Sequence, residues 1–386
     1  MQEKGSSQKA VLKELQSRLQ EDFTYNSGKI LGSMCNKPHT FAKQVYVKNL
    51  EKNLGDPGLF SATAKLEQEA IQMLGSLLSN PEACGHIISG GTEANILALW
   101  AARNLSKEHS EVIVPVSAHI SFDKAADLLN LKLIKVRLND LFQMDVTAAE
   151  NAITSRTTAI VGIAGTTELG VVDPITELSE IAVDHDIYLH VDAAFGGFVL
   201  PFLKESVSNV SEFDFGLLGV RSITMDPHKM GLAPIPAGGI LFRDEVTMKR
   251  VGKRVPYLAG GETEQTTLLG TRSGASAVTV WALMKYLGRK GYERVVKHCM
   301  KLTLKLAEEV ERIDGVNTVT QPTMNIVGIK SDAVDIKLIA RGLRNKGWAI
   351  SLFPNHIRIV VMPHVEPSHV ENFLNDLERV MEKLNR

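Results

Sequence analysis

The chain has 386 residues, 44% of them hydrophobic and 23% charged, which is the make-up of a folded globular protein and excludes disorder, collagen-like repeats and coiled-coil fibres. Its 43 Lys and Arg against 44 Asp and Glu leave a formal charge of −1, so no global field gathers nucleic acid or an anionic membrane, and any anion must be bound locally. Cys35, Cys84 and Cys299 form no CxxC or zinc-ligand pattern, which fits a reducing cytoplasm and no metal site, and no apolar run approaches the roughly 18 residues that span a bilayer.

Val11, Leu12, Leu15 and Leu19 recur at helical spacing and predict an N-terminal helix, followed over residues 22–38 by a long loop where Gly, Asn and Ser break the period. From about residue 65, short apolar, β-branched runs alternate with amphipathic segments. Residues 112–116, 133–138, 159–164, 187–191 and 216–224 read as strands, and 238–242 as a further one. This rhythm predicts an α/β fold with a mostly parallel sheet, whose ligands gather where the strands end. A helix carrying Trp281, Leu283, Met284 and Leu287 then leaves the sheet region. Beyond Gly291, a long helix, a strand near 325–329, a helix over 334–346 and paired strands 348–352 and 357–361 predict a small α+β unit. The last helix closes it with Val370, Phe373, Leu374, Leu377, Val380, Met381 and Leu384 along one stripe. The expected division is 1–60, 61–290 and 291–386.

No GxGxxG, GxxxxGK[ST], HExxH or GxSxG occurs, so dinucleotide, P-loop, zincin and nucleophile-elbow chemistry lose their main support. What stands at the predicted strand ends is a set of polar residues. Ser89-Gly90-Gly91-Thr92-Glu93-Ala94-Asn95 precedes an apolar helix and offers bare amides to a phosphate, or else is an ordinary N-cap. His119 follows the 112–116 strand, where an imidazole can stack on a flat ring or simply bond within its loop. Asp192 ends the 187–191 run, with Ala193 and Ala194 leaving room beside it for something flat; the alternative is a helix cap. Lys229, in Asp226-Pro227-His228-Lys229-Met230, is carried by a proline turn to the sheet's open end, where a desolvated amine suits Schiff-base chemistry. An anion seat, a carboxylate beside a ring-sized gap, a histidine and a lysine are together the inventory of a pyridoxal phosphate site.

These segments, with His190-Val191-Asp192-Ala193-Ala194-Phe195-Gly196-Gly197, resemble the pyridoxal-phosphate group II amino acid decarboxylases, and within them the archaeal L-tyrosine/L-aspartate decarboxylases. The resemblance implies a fold type I homodimer with shared active sites, a seven-stranded sheet domain over 61–290 and a small C-terminal domain joined by the N-terminal helix. It makes Lys229 the Schiff-base lysine, Asp192 the partner of the pyridine nitrogen, His119 the residue stacked on the ring, and Gly91, Thr92 and His228 the phosphate ligands, with Ala194 beside the ring. Thr166, in Gly165-Thr166-Thr167-Glu168-Leu169-Gly170, would approach the cofactor, and Thr271, Ser273 and Gly274 would be lent to a neighbouring subunit's phosphate. Tyr257 would be the loop tyrosine that protonates Cα, Arg358 the grip on the substrate α-carboxylate, and Asn53 part of a substrate-side loop. That loop departs from the family pattern, with Ser61-Ala62-Thr63 where relatives often have Pro-Gly-Thr.

The implied reaction is release of carbon dioxide from L-tyrosine, giving tyramine for methanofuran, or from L-aspartate, giving β-alanine for coenzyme A, with tyrosine placed first. An aminotransferase or a sulfur or selenium transferase of the same fold is the alternative within cofactor chemistry. A catalytically silent binding protein, for which Tyr257 would be dispensable, is the alternative outside it.

Overall fold

The computed structural model describes residues 1–106, 110–203 and 211–385. Seven strands form the large sheet: β1 Cys84–Ile88, β2 Glu111–Pro115, β3 Lys132–Val136, β4 Thr157–Ile163, β5 Tyr188–Asp192, β6 Val220–Met225 and β7 Gly238–Phe242, in the order β1-β7-β6-β5-β4-β2-β3. The pairs β3–β2, β2–β4, β4–β5 and β5–β6 are parallel, while β7 runs antiparallel to both neighbours. Every residue of β2, β4, β5 and β7 is buried, because helices cover both faces; that is why these strands read as continuous apolar runs.

Two strands depart from the sequence expectation. β1 escaped notice because Cys-Gly-His gives it only two clearly apolar residues, and its place depends on Gly85, where a Cβ would lie 1.9 Å from the Ile240 carbonyl oxygen. β6 begins at Val220 rather than at 216, since residues 214–220 turn through Leu217 N–H to Asp214 O and Val220 N–H to Leu217 O bonds.

A hairpin of β8 Lys253–Val255 and β9 Thr263–Gln265 stands apart from a small antiparallel sheet, β10 Asn317–Thr318, β11 Ile326–Lys330, β12 Ser351–Leu352 and β13 Ile357–Val360, ordered β10-β11-β13-β12. The terminal helix Pro367–Leu384 lays Val370, Phe373, Leu377, Val380 and Met381 into that sheet's core, as its spacing predicts. The helix Gly274–Val310 is interrupted at Gly288, whose φ of 56° and ψ of −177° leave helical geometry.

The N-terminal helix Gln8–Arg18 buries none of its residues, and Val11, Leu12, Leu15 and Leu19 stay exposed. It is therefore not what ties the N-terminus to the small sheet. Residues 29–32 do this: Leu31 sits in the small core, its N–H bonds to Ala349 O at 3.0 Å, and its carbonyl accepts Val360 N–H at 2.7 Å. Among the described residues no helix is long and apolar enough to cross a membrane, and no group of three or more His, Cys, Asp or Glu is placed to hold a metal ion.

Candidate active site

β1, β4, β5 and β6 end at one edge of the large sheet, and the segments that follow them line a cavity of about 360 Å³. Gly91, Thr92, His119, Asp192, Ala194, His228 and Lys229 all face it, brought together from four separate stretches of sequence.

Asp192 is the last residue of β5 and is 7% exposed. Its Oδ1 accepts the Ala194 N–H at 3.0 Å and its Oδ2 accepts the Asn95 amide at 2.9 Å. The helix-cap alternative does not hold: among the described residues the backbone amide it takes is two residues on, and a 3-10 turn rather than an α-helix comes next. Both donors are neutral, and no ion pair to Asp192 occurs within the described residues. A buried carboxylate held open in this way suits a cationic partner from outside the chain.

Lys229 lies in a tight turn after β6. Its N–H bonds to Asp226 O at 3.0 Å, and its Nζ stands 3.5 Å from Asp226 Oδ2. The carbonyls of His228 and Lys229 both accept from the Asn36 amide, the former at 2.8 Å, so the turn is pinned from the N-terminal segment. His228 Nδ1 accepts the Ala237 N–H at 3.3 Å, which points Nε2 toward the Asp226 carboxylate, 3.6 Å away. Burial holds the His228 imidazole below its ordinary pKa, against the pull of Asp226.

The helix Gly91–Leu105 has Gly90 as its N-cap, and no side chain caps it. Ser89 spends its N–H and hydroxyl on Glu93 Oε2 instead, at 2.9 and 2.7 Å. The Gly91 amide donates to Asp226 Oδ2 at 3.1 Å, so an anionic oxygen already rests on the helix N-terminus. Asp226 is the feature that sequence reasoning passed over. It sits within a quoted motif, yet its partner Gly91 lies 135 residues away.

His119 lines the open side of the cavity, its Nδ1 accepting the Ser121 N–H at 3.2 Å. Burial lowers its pKa, with Asp192 opposing, so a neutral, flat ring is favoured there. Thr167, rather than Thr166, reaches the wall; Thr166 is buried with its Oγ1 accepting the Val171 N–H at 3.0 Å. Ser117 is a further residue not foreseen, its buried hydroxyl unpartnered at the cavity. Met34 completes the N-terminal side.

Four groups are not brought to this cavity by the chain itself. Tyr257 is 82% exposed beyond β8. Thr271, Ser273 and Gly274 do not line it, and their neighbour Arg272 lines a different hollow with Glu67 and His86; Ser273 caps the Gly274–Val310 helix through Ser276 N–H at 3.3 Å, and Asn53 bridges to Ser273. Ser61 and Ala62 open the helix Ser61–Leu77, so the altered loop ends there instead of continuing. Arg358 lies in β13, behind the wall, donating to Thr167 O and Gly32 O at 2.7 Å and to Ser351 Oγ at 2.9 Å. Burial lowers its pKa to about 10, Glu168 opposing, and its buried Nε–H has no partner.

A lysine amine beside a phosphate-sized anion seat, facing an open carboxylate and a neutral imidazole across a ring-sized gap, defines a pyridoxal-phosphate enzyme of the fold type I class. The chain matches the pyridoxal-dependent decarboxylase conserved domain over residues 52–331, and it belongs to that family. A Thermococcus kodakarensis protein named L-aspartate decarboxylase is 50% identical over 383 residues, covering 99% of each chain. A Methanothermobacter thermautotrophicus protein named probable L-tyrosine/L-aspartate decarboxylase is 51% identical over 360 residues, 92% of this chain and 98% of that one. Among solved structures, a Burkholderia pseudomallei sphingosine-1-phosphate lyase superimposes with a TM-score of 0.93 at 29% identity, over 100% of this chain and 92% of its own. Lactobacillus brevis glutamate decarboxylase gives 0.91 at 22% identity, over 100% and 95%, which speaks for the fold alone. The protein is thus a pyridoxal-phosphate-dependent amino acid decarboxylase, a carbon-carbon lyase.

Proposed function

We propose that the protein converts L-aspartate to β-alanine and carbon dioxide, with L-tyrosine as a second substrate. The observation that carries this order is the full-length 50% identity to a protein named for L-aspartate, supported by a Pyrococcus horikoshii relative named L-aspartate/L-glutamate decarboxylase, 50% identical over 378 residues. The wall residues left over from the cofactor, Ser117 and Thr167, are polar and also suit a short acidic side chain better than a phenol ring.

Pyridoxal phosphate, when bound, supplies the electron sink that lets the bond from Cα to the carboxylate break. Lys229 would hold it, Asp192 would face its ring nitrogen, His119 would lie against its ring, with Ala194 opposite, and Gly91, Thr92 and His228 would receive its phosphate. Asp226 Oδ2, 3.5 Å from Lys229 Nζ, keeps that nitrogen turned toward the seat. The unpartnered Nε–H of Arg358 is a buried donor for the substrate α-carboxylate, and the guanidinium already fixes Thr167 on the wall. Tyr257 would deliver the proton to Cα, and Thr271, Ser273 and Gly274 would reach the phosphate, from a second copy of the chain; exposed Leu268 and Leu269 on the same arm favour such a homodimer. Asn53 would border the substrate from that side. The helix break at Gly288 favours a large unit to about residue 290 and a small one beyond it.

Purified protein supplied with the cofactor should give β-alanine from L-aspartate with kcat/KM at least about tenfold above that for tyramine from L-tyrosine, a margin of about 1.4 kcal/mol. Preferred tyramine formation would reverse the order, and transfer of the amino group without carbon dioxide release would overturn the reaction.

A further inference from the structure

Strand alternation puts Tyr188, His190 and Asp192 on one face of β5, beneath the helix Gly91–Leu105. On that face lies a polar cluster that the reaction as described does not use. Asn95 donates one amide hydrogen to Asp192 Oδ2 and the other to Ser121 Oγ, each at 2.9 Å. Its Oδ1 accepts from Thr224 Oγ1 at 2.7 Å and from His190 Nε2 at 3.0 Å. His190 Nδ1 in turn meets Ser222 Oγ at 2.8 Å. Asn95, Ser121, His190, Ser222 and Thr224 are all buried.

Counting hydrogens gives one consistent set of directions for this array. An amide has two donors and one oxygen with two lone pairs, and all four are spent here. Burial drives His190 down to about 4, so the ring is neutral and carries one proton. Nε2 faces the Asn95 oxygen at 3.0 Å and, at 3.3 Å, the Thr224 oxygen, whose hydrogen is already given to Asn95; two acceptors there assign the proton to Nε2, and Nδ1 accepts the Ser222 hydroxyl. If the Asn95 side chain turned over, its NH₂ would face the His190 N–H and the Thr224 hydroxyl, and its oxygen would face the Asp192 carboxylate. His190 and Thr224 therefore decide which end of the amide Asp192 meets.

We propose that His190, through Asn95, is a positioning residue for Asp192: it locks the amide so that a neutral donor holds the carboxylate in plane and leaves its charge for the cofactor ring. This rests on the reading of Asp192 as the ring-nitrogen partner. The mechanism is the one by which outer residues orient metal ligands, where loss typically costs 10–100-fold in affinity.

The test is the dissociation constant of pyridoxal phosphate for the apoprotein, read by quenching of tryptophan fluorescence, with the visible band of the bound cofactor and the kcat and KM of the loaded enzyme alongside. His190→Phe should raise the dissociation constant on the order of 10–100-fold, shift the visible band and lower kcat with little change in KM. His190→Gln, whose amide keeps a donor near the Nε2 position, should stay within a few-fold of the parent in all three. Thr224→Val removes only a hydroxyl and should weaken cofactor binding several-fold, so it carries the test if the phenylalanine variant does not fold. Parental affinity and spectrum in His190→Phe or Thr224→Val, or equal damage in His190→Gln and His190→Phe, would overturn the proposal. Asp192→Asn, run in parallel, separates the two ideas: if it too leaves the cofactor undisturbed, the reading of Asp192 falls, whereas if it alone weakens binding, only the role of His190 falls.

Discussion

The floor of the cavity and the arm that carries Tyr257 are built on opposite terms. Asp192 and the Asn95–His190 cluster behind it spend their acceptors on donors within the chain, among buried side chains. The arm over residues 253–273 has a two-stranded hairpin, an exposed tyrosine and exposed Leu268 and Leu269. The contrast teaches where geometry is set in advance and where it waits for contact. The floor is preorganised at the cost of burying polar groups, while the arm leaves its own groups exposed and so free to meet a second surface.

The largest effect that would test this comparison is at Lys229. Lys229→Ala should cut amine formation on the order of 10⁴-fold or more, and borohydride followed by peptide mapping, which should label Lys229 in the parent, should label no lysine in the variant. A label on another lysine would place the site elsewhere. Tyr257→Phe should come next, lowering amine formation by roughly 10²–10³-fold while cofactor affinity stays at the parental value, since the phenol lies outside the chain's own cavity. Equal output from the variant would return the arm to a structural role.

A smaller effect tests the hollow beside the arm. Glu67 is buried, which pushes its pKa up, but Arg272 alongside and His86 win and hold it at about 2, below its ordinary 4.5. A lowered carboxyl contributes stability that is whole above about pH 4.5 and is lost as pH falls toward about 2. Arg272, which also donates to Ile87 O at 2.7 Å, ties β1 to the segment before the long helix. Arg272→Leu should cost about 3–5 kcal/mol in urea unfolding, because it strands a buried carboxylate, whereas Glu67→Gln should flatten the acid limb of the stability curve. The smallest effect should come from Leu15→Glu in the N-terminal helix: the chain's own unfolding free energy should move by no more than about 0.5 kcal/mol, since that residue is exposed in a helix with no buried position.

The parts of the fold legible in the sequence are those whose cause is local. Buried parallel strands read as apolar runs, and the terminal helix reads as a stripe. The residues quoted from three motifs do meet at one sheet edge, because strand ends in a parallel sheet share an edge. What escaped has non-local causes. β1 is a strand only because Gly85 lets β7 approach, Asp226 takes its meaning from a glycine 135 residues away, and the choice between Thr166 and Thr167 rests on a bond to Val171. The roles of Tyr257, Thr271 and Ser273 came from resemblance alone, and the chain by itself carries them away from the cavity.

The strap from Leu31 to Asn36 is short, and both its ends are fastened. Leu31 is stitched into the small sheet, Met34 touches the cavity, and Asn36 grips the backbone on either side of the Lys229 peptide. Five extended residues reach at most about 18 Å, so there is little slack to absorb a shift. A tilt of the small sheet would therefore pull on the backbone that carries the Lys229 amine, and the lever that would sense a substrate at Arg358 and the hook that would hold the cofactor hang on one cord.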